Sequence, residues 1–275
     1  MAHPQGLAPY DLIVVDVDGT LLDDERAVTA EVHQVVTMAE RAGVRLTLAT
    51  GRVFCSAAQV ARQLEMAGPI ISDGGAIVAL SCGSKVLRDL RIPPKRAAEI
   101  LRELADIDAD CHLFYPDEIL VNRHNHVTRR YASRLAITMV PSDDLAAEAL
   151  ARPVGPTMIV IRSTRQRAPA LRAKYQRQFG DDIQVTSTAP HFVDFVHPQT
   201  SKAGALAFLC DYLGIPAERV IAIGDGINDL DMIAWAGLGV LVANADPELH
   251  RHADYVTSSP YYHGVAEVIE RFCQK

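Results

Sequence analysis

Leu12-Ile13-Val14-Val15-Asp16-Val17-Asp18-Gly19-Thr20 is the stretch on which the reading of this chain turns. Four apolar residues in a row, three of them β-branched, make a run too short for a helix and without the alternation of a half-exposed strand. It is therefore predicted to be a strand buried on both faces, the kind found in parallel sheets covered by helices. The run ends in two carboxylates two residues apart, followed by a glycine that lets the backbone turn sharply beside a bound group. Ligands bind at this edge of an open parallel sheet. One carboxylate can attack there while the other handles a proton.

The alternation continues outward. Val32, Val35, Val36 and Ala39 recur at helical spacing within 28–43, and a strand is predicted at 44–48 before Thr50-Gly51-Arg52. A helix over 57–66 and a strand at 69–72 follow, ending at the turn-rich Asp73-Gly74-Gly75. Late in the chain the same order returns: helix 202–213, strand 220–223, helix 230–236, strand 240–243. Both stretches are predicted to build one α/β fold, a doubly wound parallel sheet. The residues between carry their own helical patterns (97–104, 168–179) and strand-like runs (119–122, 157–161), which predicts an inserted α/β domain. The expected division is core 1–88, insertion 89–189 and core again 190–275. Charge divides the same way. The insertion holds 15 basic and 13 acidic residues against 12 and 21 elsewhere, so the acidic core calls for a cation. No internal repeat or low-complexity tract is present, and the basic run 162–172 reads as a solvated loop and helix face.

With 275 residues, 49% of them hydrophobic, the chain can bury a large core, and its length suits two domains. A formal charge of -7 argues against nucleic acid and anionic membrane as partners. The five cysteines are scattered and show no Cys-x-x-Cys pair, so neither a disulfide framework nor a zinc site is expected, and a reducing cytoplasm is the expected compartment. The first ten residues carry no basic run followed by an apolar stretch, and no segment is long enough to span a bilayer, so no targeting signal is expected. A monomer or homodimer would suffice.

Four groups fall at strand ends or helix starts. Asp16 and Asp18 follow the first strand. Thr50 and Gly51 follow the second and offer a hydroxyl and an unobstructed backbone N–H for phosphate oxygens. Lys202 opens a helix and brings a positive charge. Gly224-Asp225-Gly226-Ile227-Asn228-Asp229 follows the strand at 220–223 and supplies the oxygen ligands that a hard cation such as Mg²⁺ requires. Singly, these could be an ordinary turn, a helix cap and a surface lysine. In this order, each after a strand, they make a phosphate and magnesium site.

At these residues the chain resembles the haloacid dehalogenase-like hydrolases, specifically the Cof-type branch with a class IIB α/β cap, over essentially its whole length. The four motifs of that family correspond here to Asp16 with Asp18, Thr50, Lys202, and Asp225 with Asp229; Asn244-Ala245 and the segments 254–256 and 264–266 also look like that branch. The resemblance implies a Rossmann-like core split by the cap. Two positions depart from the pattern: Gly74 stands where the branch usually has Asn, which puts a substrate or phosphate contact in doubt, and Asp194 stands where it usually has Glu.

The resemblance further implies a phosphatase acting on small phosphorylated metabolites, sugar phosphates foremost. Asp16 would attack phosphorus to give an aspartyl-phosphate, and Asp18 would protonate the leaving group and then deprotonate water, its pKa raised by neighbouring carboxylates. Mg²⁺ would be held by Asp16, the Asp18 carbonyl, Asp225 and Asp229, with Asn228 orienting that shell or the phosphate, and Lys202, Thr50 and Gly51 holding the transferring oxygens. The insertion would serve as a lid that sets specificity. There Arg123, His124 and His126 could hold a phosphorylated sugar or form an exposed charged loop, while His191 and His197 receive no chemistry. Three other readings stand beside this one: a mutase passing the phosphoryl group to a second hydroxyl, a phosphoacceptor signalling protein, and a non-catalytic sugar-phosphate binder. Asp18 and the large insertion argue against the signalling protein, and four unbroken motifs argue against the binder. No Gly-x-Gly-x-x-Gly follows the first strand, so dinucleotide chemistry has no support.

Overall fold

The computed structural model of the protein describes residues 10–25 and 27–273. Met1–Pro9, most of the stretch expected to carry no targeting signal, lie outside the described residues. In chain order the elements begin with β1 (Leu12–Val15), α1 (Ala30–Ala42), β2 (Arg45–Leu48), α2 (Phe54–Gln63), β3 (Pro69–Ser72), β4 (Ile77–Leu80) and β5 (Val86–Asp89). Next come α3 (Pro94–Leu104), β6 (Asp110–Tyr115), β7 (Glu118–Val121), α4 (His126–Leu135), β8 (Met139–Pro141), α5 (Leu145–Ala151), β9 (Met158–Arg162), α6 (Ala168–Phe179), β10 (Gln184–Thr186) and β11 (Phe192–Val196). The chain closes with α7 (Lys202–Leu213), β12 (Val220–Gly224), α8 (Leu230–Trp235), β13 (Leu238–Leu241), β14 (Tyr255–Val256) and α9 (Tyr261–Phe272). No helix among the described residues is long and apolar enough to cross a membrane.

The chain divides into two compact units. One comprises residues up to Thr50, Ala57–Leu87 and from Ser201 onward; the other comprises Gly51–Ser56 and Arg88–Thr200. In the first unit a parallel sheet runs in the order β14-β13-β12-β1-β2, and β3 joins its edge through one parallel bridge between Ala49 and Ile71. All four residues of β1 are at most 1% exposed, which is why the run is apolar throughout and why helices must cover both faces. Leu12 and Val14 pack with Leu206 and Leu209 of α7 and Met232 and Ile233 of α8, while α1 lies against β2 and α9. From β1 the chain moves outward through β2 and β3 in one direction, and later through β12, β13 and β14 in the other. The reversal falls between β1 and β12, the place where open α/β sheets leave a crevice at the carboxyl ends of their strands.

The second unit is built on a six-stranded sheet in the order β10-β11-β9-β6-β7-β8. Period-two alternation along β6 sends Cys111, Leu113 and Tyr115 to a core that includes Tyr175 and Phe179 of α6. Phe114 goes to the opposite core, with Val53, Val121, Val160 and Phe192. The return strand β11 pairs with β9 along its whole length and with β10 from Asp194 to Val196, so this unit continues beyond 189, where the sequence pattern predicts the return to the core. Its five residues are buried, and a segment without solvent-facing positions has no alternation to mark which sheet it joins. Gly51–Ser56 falls with the same unit: the Cys55 N–H donates to the Pro116 carbonyl at 2.8 Å and the Ser56 hydroxyl to the Leu135 carbonyl at 2.7 Å.

Asp194 on β11 is fully buried, accepts the Thr188 N–H on Oδ2 at 2.5 Å, and leaves Oδ1 with no partner among the described residues. Burial pushes its carboxyl up to about 7, with the Thr188 bonds and Arg172 pulling the other way. A carboxyl raised in the folded state contributes stability that is fully present below about pH 4 and is lost as pH rises to about 7. Asp194→Asn should therefore flatten the pH dependence of unfolding in that window. Urea midpoints at pH 4 and pH 8 would check this: the wild type should lose stability across the interval by more than the variant does, and equal slopes would refute the assignment.

Candidate active site

Parallel register aligns Val15 of β1 with Ile223 of β12 on one side and Leu48 of β2 on the other. The residues just beyond these strands therefore emerge together at the carboxyl edge. They are Asp16, Thr50 and Asp225, and the Asp16 N–H donates to the Ile223 carbonyl at 2.9 Å. Lys202, the first residue of α7, enters from the side, its helix capped by Ser201, whose hydroxyl accepts the Gly204 N–H at 2.9 Å.

Lys202 is 2% exposed, and its Nζ donates to Asp16 Oδ1 and to Asp229 Oδ1, each at 2.6 Å. Asp16, Asp225 and Asp229 each bring a carboxylate oxygen within 4.8 Å of the others. Asp229 is held hard: besides Lys202 on Oδ1, its Oδ2 accepts the N–H groups of Asp225 at 3.1 Å and Gly226 at 2.9 Å. Asp225 is half-buried and accepts the Thr20 hydroxyl on Oδ1 at 2.9 Å. Burial drives the Asp16 carboxyl well above its ordinary range; Lys202 opposes the rise, and Asp229 and Asp225 add to it. Asp225 is pushed to about 6, by burial first and then by Asp229. Burial alone would lower the Lys202 pKa, but Asp16 and Asp229 outweigh it and raise it. When all three carboxylates are ionised against the one ammonium, two negative charges stand in excess. That donor set, all oxygen and partly buried, fits a hard divalent cation.

Gly19 makes the packing possible. It lies at φ +89°, and a Cβ there would stand 2.5 Å from Asp225 Oδ2, so a side chain would meet both a strained backbone and the acidic cluster. Asp18 sits in the same turn, half-buried and bridged to Leu22. Its carboxylate is not one of the three in the acidic cluster. Asn228 is half-buried, with its Oδ1 over Gly226.

Thr50 is buried; its N–H donates to the Ile71 carbonyl and its own carbonyl accepts the Gly74 N–H, both at 3.0 Å. The division of the chain falls between Thr50 and Gly51, so the two residues expected to act together belong to different units. Asp73, Gly74 and Gly75 all have positive φ, at 51°, 65° and 100°. Position 74 thus demands the left-handed region, which Gly and Asn are the residues best able to occupy. A Cβ there would touch nothing within 4 Å, so the backbone geometry would be served by either residue.

In the second unit Arg123 is exposed and paired with Asp108 at 2.9 Å, and His124 and His126 are exposed around the start of α4. Two contributors escaped the sequence reading. Thr20 lies inside the opening motif without an assigned role, and Ser201, immediately before Lys202, is a helix cap whose residue type was the available signal.

A family model described as haloacid dehalogenase-like hydrolase matches residues 13–269. The phosphoglycolate phosphatase of Methanothermobacter thermautotrophicus is 31% identical, over 94% of this chain and 97% of its own. The 5-amino-6-(5-phospho-D-ribitylamino)uracil phosphatase of Bacillus subtilis is 28% identical, over 96% and 97%. A solved haloacid dehalogenase-like hydrolase from Bacteroides thetaiotaomicron superimposes with a TM-score of 0.84 at 26% identity, over 95% of this chain and 99% of that one. With its motifs gathered at the carboxyl edge of the parallel sheet and the match running nearly end to end, the chain belongs to the haloacid dehalogenase-like hydrolase family.

Proposed function

We propose that this phosphoric monoester hydrolase is a magnesium-dependent phosphatase of small phosphorylated metabolites, sugar phosphates foremost, and that it works through a phosphoryl group carried on Asp16. The observation that carries the reading is the Lys202 bridge. One buried ammonium fixes an oxygen of Asp16 and an oxygen of Asp229 at 2.6 Å each, beside the Asp225 carboxylate. A buried carboxylate pinned at one oxygen is oriented to attack with the other.

In the first step an Asp16 oxygen forms a bond to phosphorus as the bond to the leaving oxygen breaks, and Asp18 gives that oxygen a proton. In the second step Asp18 takes a proton from water as the water attacks phosphorus, the bond to Asp16 breaks, and phosphate leaves. Asp16, Asp225, the Asp18 carbonyl and Asp229, directly or through water, would hold Mg²⁺, which when bound neutralises charge on the transferring phosphoryl oxygens. Lys202 and Thr50, with the Gly51 N–H, hold those oxygens, and Asn228 orients them. Two relatives whose names specify a glycolate ester and a ribityl ester support small phosphate monoesters as the class while leaving the leaving group open.

Phosphate release from an aryl phosphate and from a panel of phosphorylated sugars, nucleotides and flavin precursors tests this reading. Release should require Mg²⁺, stop with EDTA, and proceed without an added bisphosphate. Isomerised sugar phosphate without free phosphate would instead identify a mutase. Undiminished release in EDTA would overturn the metal assignment.

A further inference from the structure

One exposed side chain ties the turn after β1 to the start of α9. Asn244 Nδ2 donates to the Gly19 carbonyl at 2.8 Å, and Asn244 Oδ1 accepts the Tyr261 N–H at 3.0 Å. A surface amide ordinarily exchanges its partners with water, and fixing both of its ends to backbone costs rotamer freedom. The backbone is held against its preference as well: Tyr261 opens α9 at φ +51°, in the left-handed region, where an aromatic residue is strained. The Tyr261 hydroxyl donates to Asp24 Oδ2 at 3.3 Å. The turn is thus gripped at Gly19 and again at Asp24.

What this turn carries is the wall of Asp225. Gly19 lies directly against that carboxylate, with room for no Cβ, and the next residue, Thr20, donates its hydroxyl to Asp225 Oδ1 at 2.9 Å. The carbonyl that Asn244 holds belongs to the peptide unit joining Gly19 to Thr20. Rotation of that unit would move the packing surface and the hydroxyl together, and Asp225 with them.

We infer that Asn244 is a positioning residue: by fixing the Gly19–Thr20 peptide it sets the direction of the Asp225 carboxylate, and the strained Tyr261 holds the Asn244 amide in the orientation this needs. The inference rests on the proposed role of Asp225 as a cation ligand. Groups that orient a ligand commonly matter to metal affinity by tenfold or more when removed.

Two variants separate the contacts. Asn244→Ala removes both, whereas Asn244→Asp keeps an acceptor for the Tyr261 N–H and loses the donor to Gly19. Hydrogen exchange on metal-free protein should show the amides of 19–22 exchanging about five- to tenfold faster in both variants, the loss expected for one hydrogen bond. Calorimetric titration with Mg²⁺ alone should show affinity falling about tenfold in Asn244→Ala, with turnover at saturating Mg²⁺ lowered much less. Wild-type exchange in Asn244→Asp would place the effect at Tyr261 and overturn the inference. Unchanged exchange and metal affinity in Asn244→Ala, or protection lost equally across the whole core, would overturn it too. Absence of Mg²⁺ binding by the wild type would instead count against the proposed function, and the metal-free exchange would still decide whether Asn244 fixes the turn.

Discussion

Asp16→Asn is expected to abolish turnover, by at least about a thousandfold, while leaving the fold as stable as before. The substitution keeps the shape of the side chain and an oxygen able to accept the Lys202 ammonium that Asp16 Oδ1 accepts at 2.6 Å. Lys202 also keeps its second partner, Asp229. What disappears is one negative charge from a crowded buried cluster, in which Asp229 and Asp225 already oppose ionisation of Asp16. Removing a charge under those conditions relieves repulsion at least as much as it weakens the bridge. An amide oxygen is a poor nucleophile toward phosphorus, so the chemistry has no substitute. Mg²⁺-dependent phosphate release should drop to background, and acid-quenched single turnovers should trap a phosphorylated protein only with the wild type. Equal release by both proteins would remove Asp16 from its role. Loss of activity together with a large fall in the urea midpoint would show that Asp16 supports the fold, and would overturn the expectation that its contribution is chemical alone.

How far the sequence disclosed this arrangement follows from where its signals are local. β1 is legible because a strand buried on both faces needs an uninterrupted apolar run, and the Leu12–Val15 run is one. α7 is legible because a largely apolar segment runs on from Lys202 and ends at Gly214. The hairpin of β4 and β5 and the strand β6 lie outside the elements that the sequence predicts, although Cys111, Leu113 and Tyr115 alternate along β6. α4 has no sequence prediction beyond the charged segment Arg123, His124 and His126 at its start. It is short and polar, and its start is a capping box made by Asn125 and Thr128, a pairing outside the usual Ser/Thr-x-x-Glu pattern. α2 starts at Phe54, before its expected start at 57, and stops at Gln63 rather than running to 66; Glu65 at φ +56° turns the chain where sequence would have asked for glycine.

The site divides in the same way. The types and order of Asp16, Thr50, Lys202 and Asp225 could be read along the chain because each lies just past a recognisable strand or opens a recognisable helix. Their mutual engagement could not, since the bridge from Lys202 to Asp16 spans 186 residues. Nor could the two backbone N–H groups on Asp229 Oδ2 be foreseen, because they depend on how tightly the turn at Gly224–Gly226 closes. Those bonds make Asp229 an anchor for the loop, besides its proposed part in holding the cation.

Lys202→Met should produce the largest loss of stability available at this site. The lysine is buried, and its ammonium lies between two buried carboxylates. Methionine fills much of the same volume, so no large cavity is created and the change isolates the charge. Breaking a buried ion pair from one side costs about 3–5 kcal/mol, because the remaining partner stays desolvated and uncompensated. Here two partners remain, but Asp16, whose pKa is already raised, can take up a proton, which holds the loss near the lower end. The sign is clear at neutral pH: Asp16 and Asp229 raise the lysine's pKa, so its contribution is fully present below about pH 10 and vanishes only as pH rises beyond. Urea unfolding at pH 7 should therefore show a loss of about 3 kcal/mol. Addition of Mg²⁺ to about a hundred times its Kd should return about 2.7 kcal/mol of it by binding the folded form. Turnover should not return with the stability, because the ammonium that pins Asp16, and that is proposed to hold the transferring oxygens, is gone; a deficit of about a hundredfold or more should persist at saturating Mg²⁺. Recovery of both stability and turnover on adding Mg²⁺ would reduce Lys202 to a structural counter-charge and remove it from the proposed chemistry.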